Sequence, residues 1–182
     1  LFNSGAGTAE NPYIITNNQQ FTNIKSRMSK LSYLNSYISD SEEVTDDSTR
    51  YSFRLDADIL NLTFDGILFS GEFAGNLDGG THTISYTSNA LSANNLTSSQ
   101  TASVGQITSL NTGDNGISFR KGLALFERVS GNISNLVINA TYSSSSVLRD
   151  NTLFAGLAIE NSASAIISDV AISGMTSTVA VQ

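Results

Sequence analysis

A six-residue pattern occurs twice in this chain and restricts the folds available to it. Residues 133–138, ISNLVI, return 34 positions later as residues 167–172, ISDVAI. An apolar patch precedes each copy, at 123–126 and at 153–157. Periods of about 20–50 residues built from short strands are typical of solenoids, in which each unit buries the apolar face of its neighbour. The sequence therefore predicts an all-β chain folded as a parallel β-helix. A β-sandwich is the alternative, but it gives no reason for a pattern that recurs at a fixed offset.

Residues 71–85, GEFAGNLDGGTHTIS, predict a tight corner between two strands. Gly79 and Gly80 supply the positive φ angles that such a corner needs. We expect Asp78 to cap the turn by accepting hydrogen bonds from backbone amides. His82 is the only histidine of the chain, and a structural hydrogen bond in the same turn is its simplest role. One histidine without any cysteine argues against a zinc site.

One amphipathic helix is predicted near the start of the chain. Residues 16–19 fit a capping box, with Thr16 as the N-cap and Gln19 reaching back to it. The apolar residues that follow at helical spacing are Phe21, Ile24, Met28, Leu31 and Leu34. We expect this helix, over residues 17–36, to cover an open apolar end of the fold.

The remaining segments predict a single structural domain with two parts. Residues 1–50 hold the first strand, the helix and an acidic loop, and residues 51–182 hold the coils of the β-helix. A polar insertion interrupts the second part at about 88–118. The loop at 39–50 carries five of the sixteen acidic residues, so we expect it to be solvated. Calcium there stays open, because the oxygen ligands are suitable while the spacing of an EF-hand is missing.

Composition excludes several kinds of partner. The net charge is -7 and the cations are scattered, so nucleic acid, which binds clustered cations, is not an expected partner. The chain has no cysteine, which excludes disulfides and thiolate sites. No apolar run approaches the roughly 18 residues of a membrane span, and no membrane insertion is expected. The abundance of Ser, Thr and Asn in place of charged residues is typical of extracellular β-rich proteins.

Three carboxylates are the weak candidates for catalysis. Asp56, Asp58 and Asp65 could converge on one face, as the paired carboxyls of a glycosidase do. A polysaccharide lyase would also need calcium and a basic residue, and Arg54 is the only cation nearby. Capping of turns explains the same aspartates more simply. We therefore expect a protein that is not an enzyme and has no cofactor.

Four segments resemble a family of bacterial surface proteins that carry GLUG-type repeats. Residues 5–15 are similar to the opening GxGTxxxPYxI of that family, and residues 51–59 to its YfkLtxDId strand. Residues 73–85 are similar to its FxGtfDGnGHtIs segment, and residues 122–138 to the GLUG repeat itself. Ala124 interrupts the usual Gly-Leu-Phe, and the 88–118 insertion has no counterpart. The resemblance implies a right-handed parallel β-helix from an exported bacterial protein, often an adhesin.

The function expected from these observations is structural or adhesive. The chain would be a non-catalytic module of a larger exported bacterial surface protein, located extracellularly, and would bind glycan or protein on its flat faces. One alternative is a self-associating subunit of an extracellular filament or surface layer, whose partners are further copies of the same protein. The other is a carbohydrate-active β-helix enzyme, a polysaccharide lyase or hydrolase.

Overall fold

The computed structural model describes residues 2–28, 50–90, 121–144 and 152–177. These ranges are mostly β-strand, with the short α-helix α1 (Asn18–Thr22) and a 3₁₀ helix (Asn23–Arg27). The strands are β1 (Tyr13–Ile15), β2 (Ser52–Leu55), β3 (Ile59–Asp65), β4 (Ile67–Phe73), β5 (Asn76–Asp78), β6 (Thr83–Ala90), β7 (Lys121–Val129), β8 (Asn132–Ser144), β9 (Thr152–Phe154), β10 (Ala158–Asn161) and β11 (Ile166–Ser177). No helix in these ranges is long and apolar enough to cross a membrane.

Two parallel sheets contain all of these strands. The larger has seven strands in the order β1-β2-β5-β8-β6-β3, with β11 also paired to β8. The long strand β8 joins its two halves, because its first residues pair with β5 and its later residues with β6. The smaller sheet has four strands in the order β10-β7-β4, with β9 also paired to β7.

The predicted β-helix is wrong. The pairings of the described strands form two open sheets, and they indicate no closed solenoid. The alternative is wrong as well, because the sheets of a β-sandwich are antiparallel and these ladders are parallel. The two repeated copies do pair in register, Ile133 with Ile167 and Ile138 with Ile172. One repeated pattern thus determines one pairing and does not determine whether a coil closes.

The core is made of apolar ladders and a cluster of aromatic rings. Phe53, Leu77 and Ile133 occupy matched positions of β2, β5 and β8, and each is at most 1% exposed. In the smaller sheet, Phe69 of β4 stacks on Phe126 of β7 with ring centroids 4.8 Å apart. This burial holds the three central strands of the larger sheet in a fixed register, so their opposite face is also fixed.

The helix is shorter than predicted, and its cap lies one residue later. Asn17 is the N-cap, with an extended φ of -157°, and its side chain accepts from the backbone N–H of Gln20 at 3.0 Å. The side chain of Gln20, and not that of Gln19, reaches back to accept from the N–H of Thr16 at 2.7 Å. Asparagine caps helices at least as well as threonine, which explains the shift.

Several predicted segments lie outside the described residues. They are the last part of the predicted helix (29–36), the acidic loop with its open calcium question (39–49) and most of the polar insertion (91–118). Within the described part, Phe21 and Ile24 of the helical segment are fully buried. The ring of Phe21 packs edge-on against Phe69 at 5.3 Å, so this segment covers β4.

Candidate functional site

A groove of about 380 Å³ crosses β2, β5 and β8 on the face opposite the core. The loop at residues 9–12 forms one wall, through Ala9, Glu10 and Pro12. The polar residues on its floor are Ser52, Arg54, Asn76, Asp78, Asn132 and Ser134. Its volume lies within the range of small-ligand sites, about 300–1,000 Å³.

The strand register brings these six residues together from three distant parts of the chain. Ser52 aligns with Asn76, and Asn76 with Asn132, which makes a first row across the strands. The second row, two residues further along, is Arg54, Asp78 and Ser134. Successive side chains of a strand point to opposite faces, so the buried apolar ladder between these rows leaves both rows on the outer face.

The first row is a hydrogen-bonded ladder. The amide of Asn76 donates to Ser52 Oγ at 3.1 Å, and the amide of Asn132 donates to Asn76 Oδ1 at 3.0 Å. These bonds fix the orientation of both amides before any ligand arrives. The buried Oδ1 of Asn132 has no hydrogen-bond partner in the described part of the chain. Ile166 stands at the next position of the row and has no donor to offer.

The second row contains opposite charges. Asp78 accepts at Oδ1 from the N–H of Gly80 and from the amide of Asn135, each at 3.0 Å. The Asp78 carboxylate therefore stabilises the turn of residues 78–82 and also forms part of the groove floor. Arg54 is exposed, and no ion-pair partner for it occurs in the ranges that the structure describes. The groove therefore offers a charged donor beside a charged acceptor.

Glycine shapes the loop that walls the groove. Gly7 has a φ of +79°, and a Cβ there would collide with the ring of Tyr13. Asn11 O accepts from the N–H of Gly7 at 3.0 Å, and Gly7 O accepts from the N–H of Ser52 at 2.9 Å. The loop is thus bonded directly to β2, which holds Glu10 at the rim of the groove.

His82 forms a pair with Asp58 outside the groove. Its Nδ1 lies 3.2 Å from Asp58 Oδ1, which also accepts from the N–H of Thr83 at 2.9 Å. The backbone bond from Thr83, followed by the bond to His82, holds the pKa of the Asp58 carboxyl below its usual value. The N–H of His82 also donates to Gly79 O at 2.8 Å. These contacts bind the turn of residues 78–82 to the segment before β3.

The three candidate carboxylates are not all brought together. Asp58 precedes β3 and Asp65 is its last residue, so a strand length on the order of 20 Å separates them. Glycosidases need their two carboxyls within about 5–9.5 Å. Asp56 is exposed, and its backbone N–H donates to Ile15 O at 2.9 Å. Among the described residues there is no group of three or more His, Cys, Asp or Glu placed to hold a metal ion.

Comparison with protein-family models, with curated proteins and with solved structures gives no match. The resemblance to surface proteins with GLUG-type repeats therefore stays a prediction.

Sequence reasoning missed most of the groove. It named Asp78 for its turn and Arg54 only as the cation near the candidate carboxylates, and did not connect either residue with Asn76 or Asn132. A signal was present, because both asparagines follow a glycine and precede a buried apolar residue, in 75–77 (GNL) and 131–133 (GNI). The shared tripeptide marks equivalent positions of β5 and β8.

Proposed function

We propose that this chain is a non-catalytic adhesive module of a larger exported bacterial surface protein, and that its groove binds a neutral glycan. The observation that carries the proposal is the pair of polar rows on the floor of the groove. They present amides, hydroxyls, a guanidinium and a carboxylate side by side. The composition, rich in Ser, Thr and Asn and poor in charged residues, supports an extracellular location.

Sugars suit this surface because each hydroxyl both donates and accepts hydrogen bonds. Arg54 supplies donors only, and the carboxylates of Asp78 and Glu10 supply acceptors only. The amides of Asn76 and Asn132 are already held by the ladder, so a ligand does not have to order them. Preorganised groups lose less entropy on binding.

The charges favour a neutral glycan over an acidic one. Glu10 and Asp78 outnumber Arg54 among the ionisable residues of the groove, and the whole chain carries a net charge of -7. A polyanion would be repelled by the two carboxylates of the groove and by the net negative charge of the chain. We therefore expect neutral oligosaccharides to be preferred over uronic-acid or sulfated ones.

The experiment is a glycan array followed by calorimetry with the best neutral oligosaccharide. Arg54→Ala removes charged hydrogen bonds and should weaken binding at least about tenfold. Lys25→Ala is the matched control, because Lys25 is an exposed cation of the 3₁₀ helix, away from the groove. Equal affinities of Arg54→Ala and the unmodified protein would refute the groove as the binding site. Cleavage of the bound glycan would instead indicate a carbohydrate-active enzyme.

A further inference from the structure

The two polar rows of the groove floor reach β11, and they end there differently. β11 begins in regular register with β8, with Ile166 beside Asn132 and Ser168 beside Ser134. The second row therefore continues through the hydroxyl of Ser168, whereas the first row meets an isoleucine. Ile166 is 60% exposed at the end of an otherwise polar floor. A ligand held by the polar rows can gain affinity there by burying an apolar group.

Ile166 and Ser168 lie on the same face of the sheet as the groove floor. Ile167, between them, aligns with Ile133 of the buried apolar ladder, so the side chains before and after it point to the outer face. A further strand paired along the edge of β11 would leave this face open, because paired strands lie side by side while their side chains stand perpendicular to the sheet. The outer surface of Ile166 therefore does not depend on what lies beside β11.

The start of β11 is held in a fixed position. The backbone N–H of Ile166 donates to Gly131 O at 3.1 Å, which fastens this end of the strand to β8. The irregular part of the strand comes later, at Asp169 with its φ of +54° and at the register shift after Ile172. The apolar surface of Ile166 is thus in place before a ligand binds, and preorganised groups lose less entropy on binding.

We infer that the β11 end of the groove is a subsite for the acetamido group of an N-acetylated hexosamine. The inference rests on the proposed glycan-binding function and names the class of sugar. An acetamido group is neutral, and it combines a methyl with one hydrogen-bond donor and one acceptor. Its methyl packs on Ile166, and its N–H and C=O pair with the hydroxyls of Ser134 and Ser168.

The two serine hydroxyls suit the polar atoms of this group. Each hydroxyl both donates and accepts, and neither forms a hydrogen bond within the ranges that the structure describes. Ser168 lies two residues from Ile166, about 7 Å along the strand, and Ser134 lies one strand spacing from Ser168, about 4.8 Å. The methyl contact and the hydrogen bond at the two ends of an acetamido group together span this distance. A sugar hydroxyl in its place would leave Ile166 uncovered.

Calorimetry with matched sugars measures the preference. The probes are neutral oligosaccharides in pairs that differ only at the carbon next to the anomeric carbon, which carries an acetamido group or a hydroxyl, such as triacetylchitotriose and cellotriose. Burial of one methyl is worth about 0.8 kcal/mol, so the acetamido member should bind at least about fourfold more tightly. Equal affinities, or tighter binding of the hydroxyl member, would overturn the inference and leave the glycan-binding groove in place. Binding of no glycan at all would overturn both.

Variants at position 166 test where the preference arises. Ile166→Ser removes the apolar surface and should reduce the ratio of the two affinities to about one, whereas Ile166→Leu should keep the ratio. Leu60→Ser is the matched control, because Leu60 of β3 is also an exposed apolar residue, at 49%, and does not line the groove. An unchanged ratio in Ile166→Ser would place the acetamido group elsewhere and contradict the assignment.

A nuclear Overhauser measurement tests the contact without any change to the binding surface. In the unmodified protein with isotope-labelled isoleucine methyl groups, the acetamido methyl of bound triacetylchitotriose should show an effect to the Ile166 methyls. The Ile166 signals are identified as those missing from the spectrum of Ile166→Leu. An effect to a different isoleucine, or to none, would refute the subsite.

Discussion

The ladder of hydrogen-bonded side chains in the groove ends beside Ile166, whose side chain cannot form a hydrogen bond. We therefore predict that a polar side chain at position 166 changes the stability of the protein. Ser52, Asn76 and Asn132 are joined by two hydrogen bonds, and the buried Oδ1 of Asn132 has no partner in the described ranges. Ile166 occupies the next register position. Ile166→Asn places an amide one strand spacing away, about 4.8 Å, as at the earlier steps of the ladder. We expect the new amide to donate to Asn132 Oδ1.

The expected change in the free energy of unfolding is the difference between the apolar burial that Ile166 loses and the hydrogen bond that Asn132 Oδ1 gains. Ile166 is 60% exposed, so only about two-fifths of it is buried, and its removal costs about 1 kcal/mol. Satisfying a buried acceptor recovers about 1–3 kcal/mol. Ile166→Asn should therefore be between equally stable and about 2 kcal/mol more stable than the unmodified protein. Ile166→Asp has the same shape without a donor, so it should be about 2 kcal/mol less stable than Ile166→Asn.

Urea unfolding and thermal melts of both variants provide the measurement. A difference of about 2 kcal/mol corresponds to roughly 4–8 °C in Tm for a chain of this size. Thr176→Asp is the charge control, because it adds a carboxylate at an exposed position of the same strand. If Ile166→Asp is as stable as Ile166→Asn, the terminal group of Asn132 is a donor and the ladder runs in the opposite direction.

Two further predictions concern the turn and the core. The pKa of Asp58 is lowered in the folded protein, so its contribution to stability is present above about pH 3.8 and is lost as the pH falls through the folded-state pKa. Asp58→Asn should flatten the acid limb of unfolding free energy against pH, and an unchanged limb would contradict this reasoning. Phe126→Ala should lower the unfolding free energy by about 3–5 kcal/mol in urea titrations, since the ring is fully buried against Phe69 and Phe73. Phe64→Ala, at a half-buried ring, should cost less, and equal losses would show that the Phe126 cluster is not the centre of the core.

The sequence predicted local features better than the arrangement of the sheets. The repeated pattern at 133–138 and 167–172 marks two strands that do pair, because identical apolar faces stack in register. The other pairings have different offsets, such as 24 residues from Ser52 to Asn76 and 57 from Ile67 to Ala124. Unequal offsets leave no period in the sequence. The 34-residue spacing relates only β8 to β11, so it could not predict the two open sheets.

The groove was hard to predict for the same reason, yet its chemistry has a local origin. Gly131 packs against the carbonyl of Gly75 so closely that a Cβ would collide with it. That approach brings the residue after each glycine, Asn76 and Asn132, into side-chain contact. Where the pattern would recur, the chain has alanine at 165 and Ile166, and there the ladder stops. The Gly-Asn pairs thus determine both the extent of the polar floor and the position at which an added amide can lengthen it.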